Sequence, residues 1–296
     1  MKQTIFKGSG VAIITPMLED GSVNYPVLKE LLEQQIAGGT DAIVICGTTG
    51  EASALNDTEH LDVIEFACAT VNRRLPVIAG TGSNDTRHAV ALSREAKNRG
   101  ADALLQVTPY YNKPSQEGLY QHFRTVSEHS PLPVILYNIP GRSGVNMTAE
   151  TTLRLARDMK NVIGIKEASG DIEQMQRILD NRPEGFLVLS GDDGMTLDLM
   201  RRGGEGVISV AANVFPKRFM QCVGHAKQGD FDRAEEEYRA LDEAVHALFE
   251  EGNPVGAKCA LSVMGKIGPT MRLPLVEGSQ ALREKFSRLI AEYDLR

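Results

Sequence analysis

Residues 162–166 read VIGIK, a short apolar run that contains a glycine and ends in a lysine. Runs of this kind are typical of strands that are covered on both faces, as in parallel sheets. Seven further runs occur in the chain, at residues 11–15, 42–46, 76–80, 103–107, 133–137, 186–190 and 206–210. The sequence therefore predicts eight buried strands.

Segments with helical periodicity separate these runs. Residues 26–37 and 58–71 carry apolar stripes at helical spacing, and Asn84 or Asp85 is suited to cap a third helix. Eight strand–helix units can form an open doubly wound sheet or close into a (β/α)8 barrel of about 250 residues. The number of units favours the barrel, and no GxGxxG motif follows the first run. We therefore predict an α/β fold of the (β/α)8 TIM barrel type.

The pattern changes after residue 210, where helical segments follow one another without strands between them. These segments are residues 216–229, 230–251, 254–264 and 279–295. No linker rich in Pro, Gly or Ser precedes them. We expect residues 213–296 to form a C-terminal helical appendix that packs on the barrel of residues 1–212, so that both make one structural unit.

The composition excludes several classes of function. With 42% hydrophobic and 24% charged residues in a chain of 296, a large core is expected. A net charge of −7 disfavours nucleic acid as a partner. No apolar run reaches membrane-spanning length or resembles an export signal. Four separated cysteines without a CxxC motif predict free thiols and a cytoplasmic location.

Polar and aromatic side chains stand where the predicted strands end. In a (β/α)8 barrel these strand ends meet at one face, where active sites lie. The strand ends read GTTGE (47–51), TPYYN (108–112), YNIPGR (137–142), KE (166–167) and SGDD (190–193). The sequence therefore predicts an active site built from these loops.

The lysine at the end of the sixth run carries the sharpest chemical signal. Simple alternation places Val162, Gly164 and Lys166 on one face of the strand. Ile163 and Ile165 then face the helix-covered outside. Lys166 points into the barrel mouth, where desolvation favours the neutral amine that attacks a ketone to form a Schiff base. The alternative is a lysine that reaches solvent or pairs with the glutamate after it.

Three neighbouring strand ends offer partners for such an amine. Tyr137 is suited to shuttle protons, although a rim tyrosine bonded to water fits the pattern as well. Thr48 and Thr49 can bind a carboxylate or form an ordinary polar turn. Arg142 can clamp a carboxylate with its planar guanidinium or lie on the surface.

Metal and cofactor motifs are not indicated. The six histidines lack HxxxH and HxH spacings, and neither a P-loop nor a GxSxG motif is present. The pair Asp192 and Asp193 fits the N-cap of the next helix better than a magnesium site. We expect no metal and no organic cofactor.

Taken in order, seven motifs resemble the dihydrodipicolinate synthase family of the lysine-dependent pyruvate aldolase superfamily. They cover most of residues 8–274 and read GTTGE (47–51), PVIAGTGSN (76–84), VTPYYNKPSQEGLYQHF (107–123), LYNIPGR (136–142), GIKEASG (164–170), SGDD (190–193) and GVISV (206–210). The resemblance implies condensation of pyruvate with L-aspartate-4-semialdehyde in lysine biosynthesis by the diaminopimelate route. It also implies that the lysine itself is the electron sink.

The resemblance implies a role for each motif residue. Lys166 would form the Schiff base with pyruvate, and Tyr137 would donate and accept protons. Thr48 and Tyr111 would complete a proton relay, with Tyr111 reaching in from a neighbouring subunit of a homotetramer built as a pair of tight dimers.

The same resemblance implies three substrate-binding residues. Thr49 would hold the carboxylate of pyruvate, and Ile208 would contact it through its backbone. Arg142 would receive the carboxylate of the semialdehyde.

Many members of this family are inhibited by lysine, which binds in an allosteric cleft at the tight-dimer interface. His60, Asn84 and Tyr110 match the lysine-sensitive pattern. His88, however, stands where sensitive relatives have a glutamate, and Asp57 where they often have histidine. Since an imidazole cannot replace a carboxylate opposite an ammonium group, we predict weak or absent inhibition, unless Asp57 points into the same cleft.

Two alternatives remain open on the sequence. N-acetylneuraminate lyase and related sugar-acid aldolases share the lysine and the tyrosine, but the arginine at 142 and the Thr-Thr pair favour the synthase. A catalytically silent paralogue that binds 2-oxo acids is the second alternative. The intact set of Lys166, Tyr137, Thr48 and Tyr111 argues against it.

Overall fold

Eight parallel strands close into a barrel in which each strand pairs with the next one along the chain and the last pairs with the first. The structure is a computed structural model and describes residues 2–293. The predicted (β/α)8 barrel is confirmed. The strands are β1 (Gly8–Ala12), β2 (Ala42–Ile45), β3 (Val77–Gly80), β4 (Ala103–Val107), β5 (Val134–Asn138), β6 (Val162–Glu167), β7 (Leu187–Ser190) and β8 (Gly206–Ser209).

The first strand begins earlier than the sequence predicts, whereas the other seven agree within one residue at each end. Residues 11–15 are predicted, but β1 ends at Ala12. The apolar residues beyond it are buried in the connection to the next helix. There the amide of Ile14 donates to Asn213 Oδ1 (3.0 Å), and Thr15 Oγ1 donates to the Gly50 carbonyl (2.7 Å). The Ile13 amide still donates to the Val44 carbonyl of β2 (3.0 Å), so burial without strand pairing extends the apolar run from Ile14 onward.

Helices cover the outside of the barrel, and a second group follows it in the chain. The first group is α1 (Tyr25–Ala37), α2 (Asp57–Val71), α3 (Thr86–Asn98), α4 (Gln116–His129), α5 (Pro140–Ser143), α6 (Ala149–Asp158), α7 (Ile172–Asn181) and α8 (Thr196–Arg201). The second group is α9 (Pro216–Lys227), α10 (Phe231–Arg239), α11 (Asp242–Glu250), α12 (Val255–Val263) and α13 (Gln280–Glu292). Within residues 2–293, no helix is long and apolar enough to cross a membrane.

The helix starts follow from local capping. Asn56 caps α2 in a capping box with Glu59. Of the two candidates for the cap of α3, Asp85 takes that role, because its carboxylate accepts from the amide of Arg87. Capping therefore fixes where the loops after β2 and β3 give way to helix.

The predicted helix over residues 230–251 is wrong, because α10 and α11 are separate. Leu241 is fully buried at the break, and its amide bonds back to Tyr238 in a tightened turn (2.8 Å). Apolar spacing continues across the break, so periodicity alone did not reveal it. The helix predicted for residues 279–295 is observed as α13, and the last two residues of that prediction lie outside the described residues.

The core has two layers. Inward-facing side chains of the strands fill the barrel, where Phe6 packs with them from below β1. Outward-facing side chains pack against the helices, and this layer continues into the second helix group through residues such as Phe219, Leu248 and Leu261. The mouth of the barrel therefore stands on a filled, rigid interior.

Strand β6 contains a bulge that changes which residues face inward. Val162 pairs with Val134, but the next pair is Gly164 with Ile135, so Ile163 is an extra residue. Ile163 consequently packs inside the barrel and Val162 outside, the reverse of the prediction. A Cβ at Gly164 would lie 2.7 Å from Leu187 Cβ, so the close approach of β7 requires glycine.

Candidate active site

Lys166 and Tyr137 are paired residues on neighbouring strands at the mouth of the barrel. The Lys166 Nζ atom lies 4.3 Å from the centroid of the Tyr137 ring, a distance at which a cation interacts with the ring face. Both side chains are only 5% exposed. Tyr137 belongs to the inner layer, so the inward orientation predicted for Lys166 is confirmed. The outward orientation of Ile165 is confirmed as well.

The carboxylate next in sequence does not pair with this lysine. Glu167 turns away from the mouth and accepts hydrogen bonds from Asn138 Nδ2, Gln174 Nε2 and the Ser169 amide (2.8–3.1 Å). Burial raises the pKa of Glu167. The alternative in which Lys166 pairs with this glutamate is therefore wrong, and no ion pair of Lys166 occurs among the described residues.

The loop after β2, residues 46–56, carries the two threonines. Thr49 is buried, and its Oγ1 accepts a hydrogen bond from Asn253 Nδ2 (2.9 Å). Thr48 is half-buried and faces a cavity. Glu51 adopts a left-handed backbone (φ 55°) at the start of a short 3-10 turn. The hydroxyl of Thr49 is thus held by a side chain from outside this loop.

Three residues of the C-terminal segment fix this loop, and we call Asn253, Lys258 and Arg272 the C-terminal anchor. The ammonium group of Lys258 forms an ion pair with Glu51 in which both side chains are buried. The Arg272 amide also donates to Glu51 (3.2 Å). The Arg272 guanidinium makes two bonds to Glu59 (2.5 and 2.8 Å) and lowers the pKa of that carboxyl group to about 2.

Arg142 lies on α5 at the edge of the mouth. Its side chain donates to the backbone carbonyl of Asn253 (2.9 Å). Among the described residues it has no carboxylate partner, so its charge is available to a ligand.

A cavity of about 390 Å³ opens at the mouth. Its wall includes Thr48, Tyr137 and Arg142 from the predicted active site. It also includes four of the five residues predicted for the allosteric cleft, namely Asp57, His60, His88 and Tyr110. Lys166 does not line this cavity, although its neighbour Tyr137 does.

Within the cavity, His88 and Asp57 form a pair. His88 Nε2 lies 3.0 Å from Asp57 Oδ1, and His88 Nδ1 lies 3.2 Å from Ser83 Oγ. Asp57 therefore does point into the cleft, but its carboxylate is engaged by the histidine. His60 bonds to the Gly80 carbonyl (2.8 Å), and burial lowers its pKa.

The loop after β4, residues 108–115, is buried at its first two residues and exposed at residues 110–113. Tyr111 is 89% exposed and has a left-handed backbone (φ 72°). Tyr110 lines the cavity. The carbonyl of Asn84 accepts from Asn112 Nδ2 (2.9 Å) and ties the loop to the end of the β3 loop.

Two further residues stand at strands β7 and β8. Ile208 is fully buried on the inner face of β8. The prediction that Asp193 caps the next helix, α8, is wrong. Its carboxylate is buried and accepts hydrogen bonds from the amides of Val210 and Ala211 (3.0 Å each). Burial raises the pKa of this carboxyl group. Asp193 thus fixes the backbone that follows β8.

The anchor residues were missed by sequence reasoning. All three come from the helical segment after the barrel, whereas the predicted site residues stand at the ends of strands. No spacing or motif linked them to the loop after β2. Only the folded chain brings them together.

A (β/α)8 barrel with a buried lysine beside a tyrosine at its mouth defines a class of barrel enzymes that use an amine as nucleophile. Comparison with known proteins narrows this class. Residues 5–293 match the model of the dihydrodipicolinate synthetase family. The chain belongs to this family, as the resemblance of its motifs indicated.

The chain is similar to three well-matched relatives. It is 48% identical over its full length to the 4-hydroxy-tetrahydrodipicolinate synthase of Phocaeicola vulgatus, all of which it covers. It is 44% identical to the crystal structure of dihydrodipicolinate synthase from Aquifex aeolicus, with a TM-score of 0.96 over 98% of this chain and 99% of that one. The same identity and TM-score relate it to the chloride-inhibited dihydrodipicolinate synthase from Acinetobacter baumannii complexed with pyruvate, over 99% and 100%.

Proposed function

We propose that this protein condenses pyruvate with L-aspartate-4-semialdehyde through a Schiff base on Lys166, the reaction of 4-hydroxy-tetrahydrodipicolinate synthase in lysine biosynthesis. The observation that carries the proposal is the buried Lys166–Tyr137 pair at the barrel mouth. The activity in the relatives' names supports it.

The first half of the reaction forms a carbon nucleophile. The neutral amine of Lys166 adds to the C2 ketone of pyruvate, and loss of water gives an iminium ion. Removal of a proton from C3 moves its electron pair into the iminium and yields an enamine. Tyr137, whose ring lies beside the lysine, is suited to move protons in these steps.

The second half joins the two substrates. The enamine carbon attacks the aldehyde carbon of the semialdehyde, and the aldehyde oxygen takes up a proton. The amino group of the substrate then displaces Lys166 from the imine, which closes the ring and releases the enzyme amine. Because the lysine supplies the electron sink, the scheme uses no metal or organic cofactor.

Carboxylates of the two substrates require separate recognition. Thr49 would bind the carboxylate of pyruvate, together with the backbone of Ile208. Arg142, which has no carboxylate partner among the described residues, would bind that of the semialdehyde. This assignment also favours the synthase over sugar-acid aldolases, whose substrates carry a neutral chain there.

The proposed proton relay runs through Thr48, Tyr137 and Tyr111, with Tyr111 supplied by a second copy of the chain. Its 89% exposure supports this arrangement, because the side chain projects away from its own barrel. A homotetramer made of two tight dimers is therefore part of the proposal. A cytoplasmic location is proposed as well and is supported by four free cysteines.

Trapping with borohydride tests the proposal. Pyruvate and borohydride should attach a reduced adduct to the peptide that contains Lys166, as measured by mass mapping. Lys166→Ala and Lys166→Arg should remain unlabelled, the latter because a guanidinium stays protonated. Lys160→Ala, at an exposed lysine just before β6, is the matched control and should be labelled normally.

Coupled assays then distinguish the substrates. The enzyme should consume L-aspartate-4-semialdehyde and should not cleave N-acetylneuraminate. Wild-type protein that is not labelled at Lys166 would refute both aldolase functions, the synthase and the sugar-acid aldolase. Labelling with turnover of neither substrate would instead support a silent 2-oxo-acid-binding protein, whereas labelling with cleavage of N-acetylneuraminate would support a sugar-acid aldolase.

A further inference from the structure

Asn253 contacts both of the side chains proposed to bind substrate carboxylates. It lies between α11 and α12, in the C-terminal anchor, and is 8% exposed. Its Nδ2 donates to Thr49 Oγ1 (2.9 Å), and its backbone carbonyl accepts from Arg142 Nη2 (2.9 Å). One residue outside the barrel therefore links the two carboxylate-binding groups.

The direction of the bond to Thr49 has a chemical consequence. A threonine hydroxyl has one hydrogen to donate and two lone pairs to accept with. The Asn253 amide nitrogen can only donate, so it occupies a lone pair of Thr49 Oγ1. The single hydrogen of the hydroxyl is left free for another acceptor.

The other atom of the same amide argues for a functional reason behind this contact. Asn253 Oδ1 is buried and has no hydrogen-bond partner among the described residues. An unpaired buried carbonyl oxygen costs free energy. Stability alone would therefore favour an apolar side chain here, whereas an amide is explained by what its nitrogen does to Thr49.

We infer that Asn253 is a positioning residue, which turns the hydroxyl hydrogen of Thr49 toward the pyruvate carboxylate and holds Arg142 in place through its backbone carbonyl. The inference rests on the proposed function. Its side chain acts on the pyruvate subsite, and its backbone acts on the semialdehyde subsite. The two roles can be separated, because a substitution removes the amide and leaves the carbonyl.

The decisive variant is Asn253→Asp. A carboxylate of the same shape can only accept, so it takes the hydroxyl hydrogen of Thr49 away from the substrate. We expect the KM for pyruvate to rise on the order of tenfold or more in Asn253→Asp, and by less in Asn253→Ala. The KM for the semialdehyde should change far less in both, because Arg142 keeps its carbonyl partner.

A second background separates the hydrogen bond from simple charge repulsion. In Thr49→Val, which has no hydroxyl, Asn253→Ala and Asn253→Asp should each leave the pyruvate KM within about twofold of Thr49→Val alone. Should Asn253→Asp not fold, the cycle of Asn253→Ala with Thr49→Val tests the same coupling. Melting temperatures of all variants establish folding.

Three results would overturn the inference. The first is an equal KM for pyruvate in Asn253→Ala and Asn253→Asp. The second is that both substitutions raise this KM as much in the Thr49→Val background as in the wild type. The third is that the KM for pyruvate and the KM for the semialdehyde rise equally. Failure of the proposed function appears separately, because wild-type protein would then not be labelled by pyruvate and borohydride. Wild-type labelling with unchanged KM values in every Asn253 variant would overturn this inference alone.

Discussion

The loops after β2 and β4 both supply proposed active-site residues, but they are held in opposite ways. The loop of residues 46–56 is fixed from within the chain by the C-terminal anchor, with an ion pair between Glu51 and Lys258 that is buried on both sides. The loop of residues 108–115 carries Tyr111 at 89% exposure. Its backbone contact to the Ser143 carbonyl is long, at 3.4 Å.

This difference separates what one chain completes by itself from what it leaves to a neighbour. The residues of the proposed pyruvate subsite come together within a single chain. Tyr111, the tyrosine proposed for the relay, is presented outward in a left-handed conformation, which is costly for a residue other than glycine. A side chain held this way is suited to contact a second copy.

The sharpest test of this contrast mixes two inactive variants. Tyr111→Phe and Lys166→Ala should each lose most activity, by about 10²-fold or more. After joint refolding, half of the tight dimers are mixed and carry one intact site, so about a quarter of wild-type activity should return. Steady-state turnover of the mixture measures this.

Mixtures that match the sum of the two parents would show that Tyr111 does not act across subunits. Combining Thr48→Val with Lys166→Ala is the control. Thr48 belongs to the loop completed within its own chain, so both changes act in cis, the mixed dimer gains no intact site, and the mixture should match the sum of the two parents. Lys166→Ala combined with Tyr137→Phe should behave like this control.

The next effect concerns the anchor. Lys258→Met should lower the free energy of unfolding by about 3–5 kcal/mol, because it leaves Glu51 charged and buried without its cationic partner. Tyr111→Phe, in the exposed loop, should change it by less than about 0.5 kcal/mol. Urea denaturation measures both, and adding Glu51→Gln to Lys258→Met should restore much of the loss. A single transition would agree with the barrel of residues 1–212 and the helices of residues 213–296 forming one structural unit, whereas two transitions would contradict it.

Arg142 bonds to Asn253 of the anchor, and the neighbouring Ser143 carbonyl accepts from Tyr111 of the β4 loop. Replacing Arg142 should impair the use of one substrate more than that of the other. Arg142→Ala should cost about 2–4 kcal/mol in use of the semialdehyde and much less in formation of the pyruvate imine. Turnover and borohydride trapping separate the two half-reactions. Equal damage to both would mean that the arginine only secures its loop through Asn253.

The Arg272–Glu59 pair predicts a dependence on pH. The pKa of Glu59 in the folded protein, about 2, lies below the ordinary value of a glutamate. The pair's contribution to the free energy of unfolding is therefore fully present above about pH 4.5 and is lost as the pH falls through the folded pKa. Glu59→Gln should therefore cost about 1–2 kcal/mol near pH 7 and progressively less below pH 4. Urea titrations of both proteins across this range test the prediction. A constant difference would contradict it.

Lysine should have the smallest effect. Asp57 points into the cleft but is paired with His88, so an incoming ammonium must compete with the imidazole for that carboxylate. We expect millimolar lysine to leave the enzyme largely active. Half-inhibition below about 1 mM at saturating pyruvate would refute this, and His88→Glu should then bind lysine more tightly still.

The sequence predicts the barrel well because its strands are buried on both faces and leave clear apolar runs. It fails where burial and strand pairing separate, as at residues 14–15, and where a helix breaks without a change in spacing, as at Leu241. The bulge in β6 could not be predicted from the apolar pattern for a related reason. A single extra residue changes the face of its neighbours without changing their composition.

Proposed site residues at strand ends could be predicted because topology brings all eight ends to one face. The anchor could not, because Asn253, Lys258 and Arg272 reach the mouth from a segment that follows the barrel by 40 residues or more. Asp193 shows the same limit, since its carboxylate bonds to amides that lie 17 and 18 residues further along. Such contacts depend on tertiary structure that periodicity does not encode.

The bulge in β6 also matters to anyone who wishes to move this lysine into another barrel. Because of the extra residue, both Ile163 and Lys166 face inward although they are three positions apart. If only the C-terminal half of β6 is grafted onto a regular strand, the inward and outward positions of the two halves no longer match. Either the residue that replaces Ile163 in the barrel interior or Lys166 then points outward. The unit to transplant is therefore the whole strand together with Gly164 and the facing part of β7.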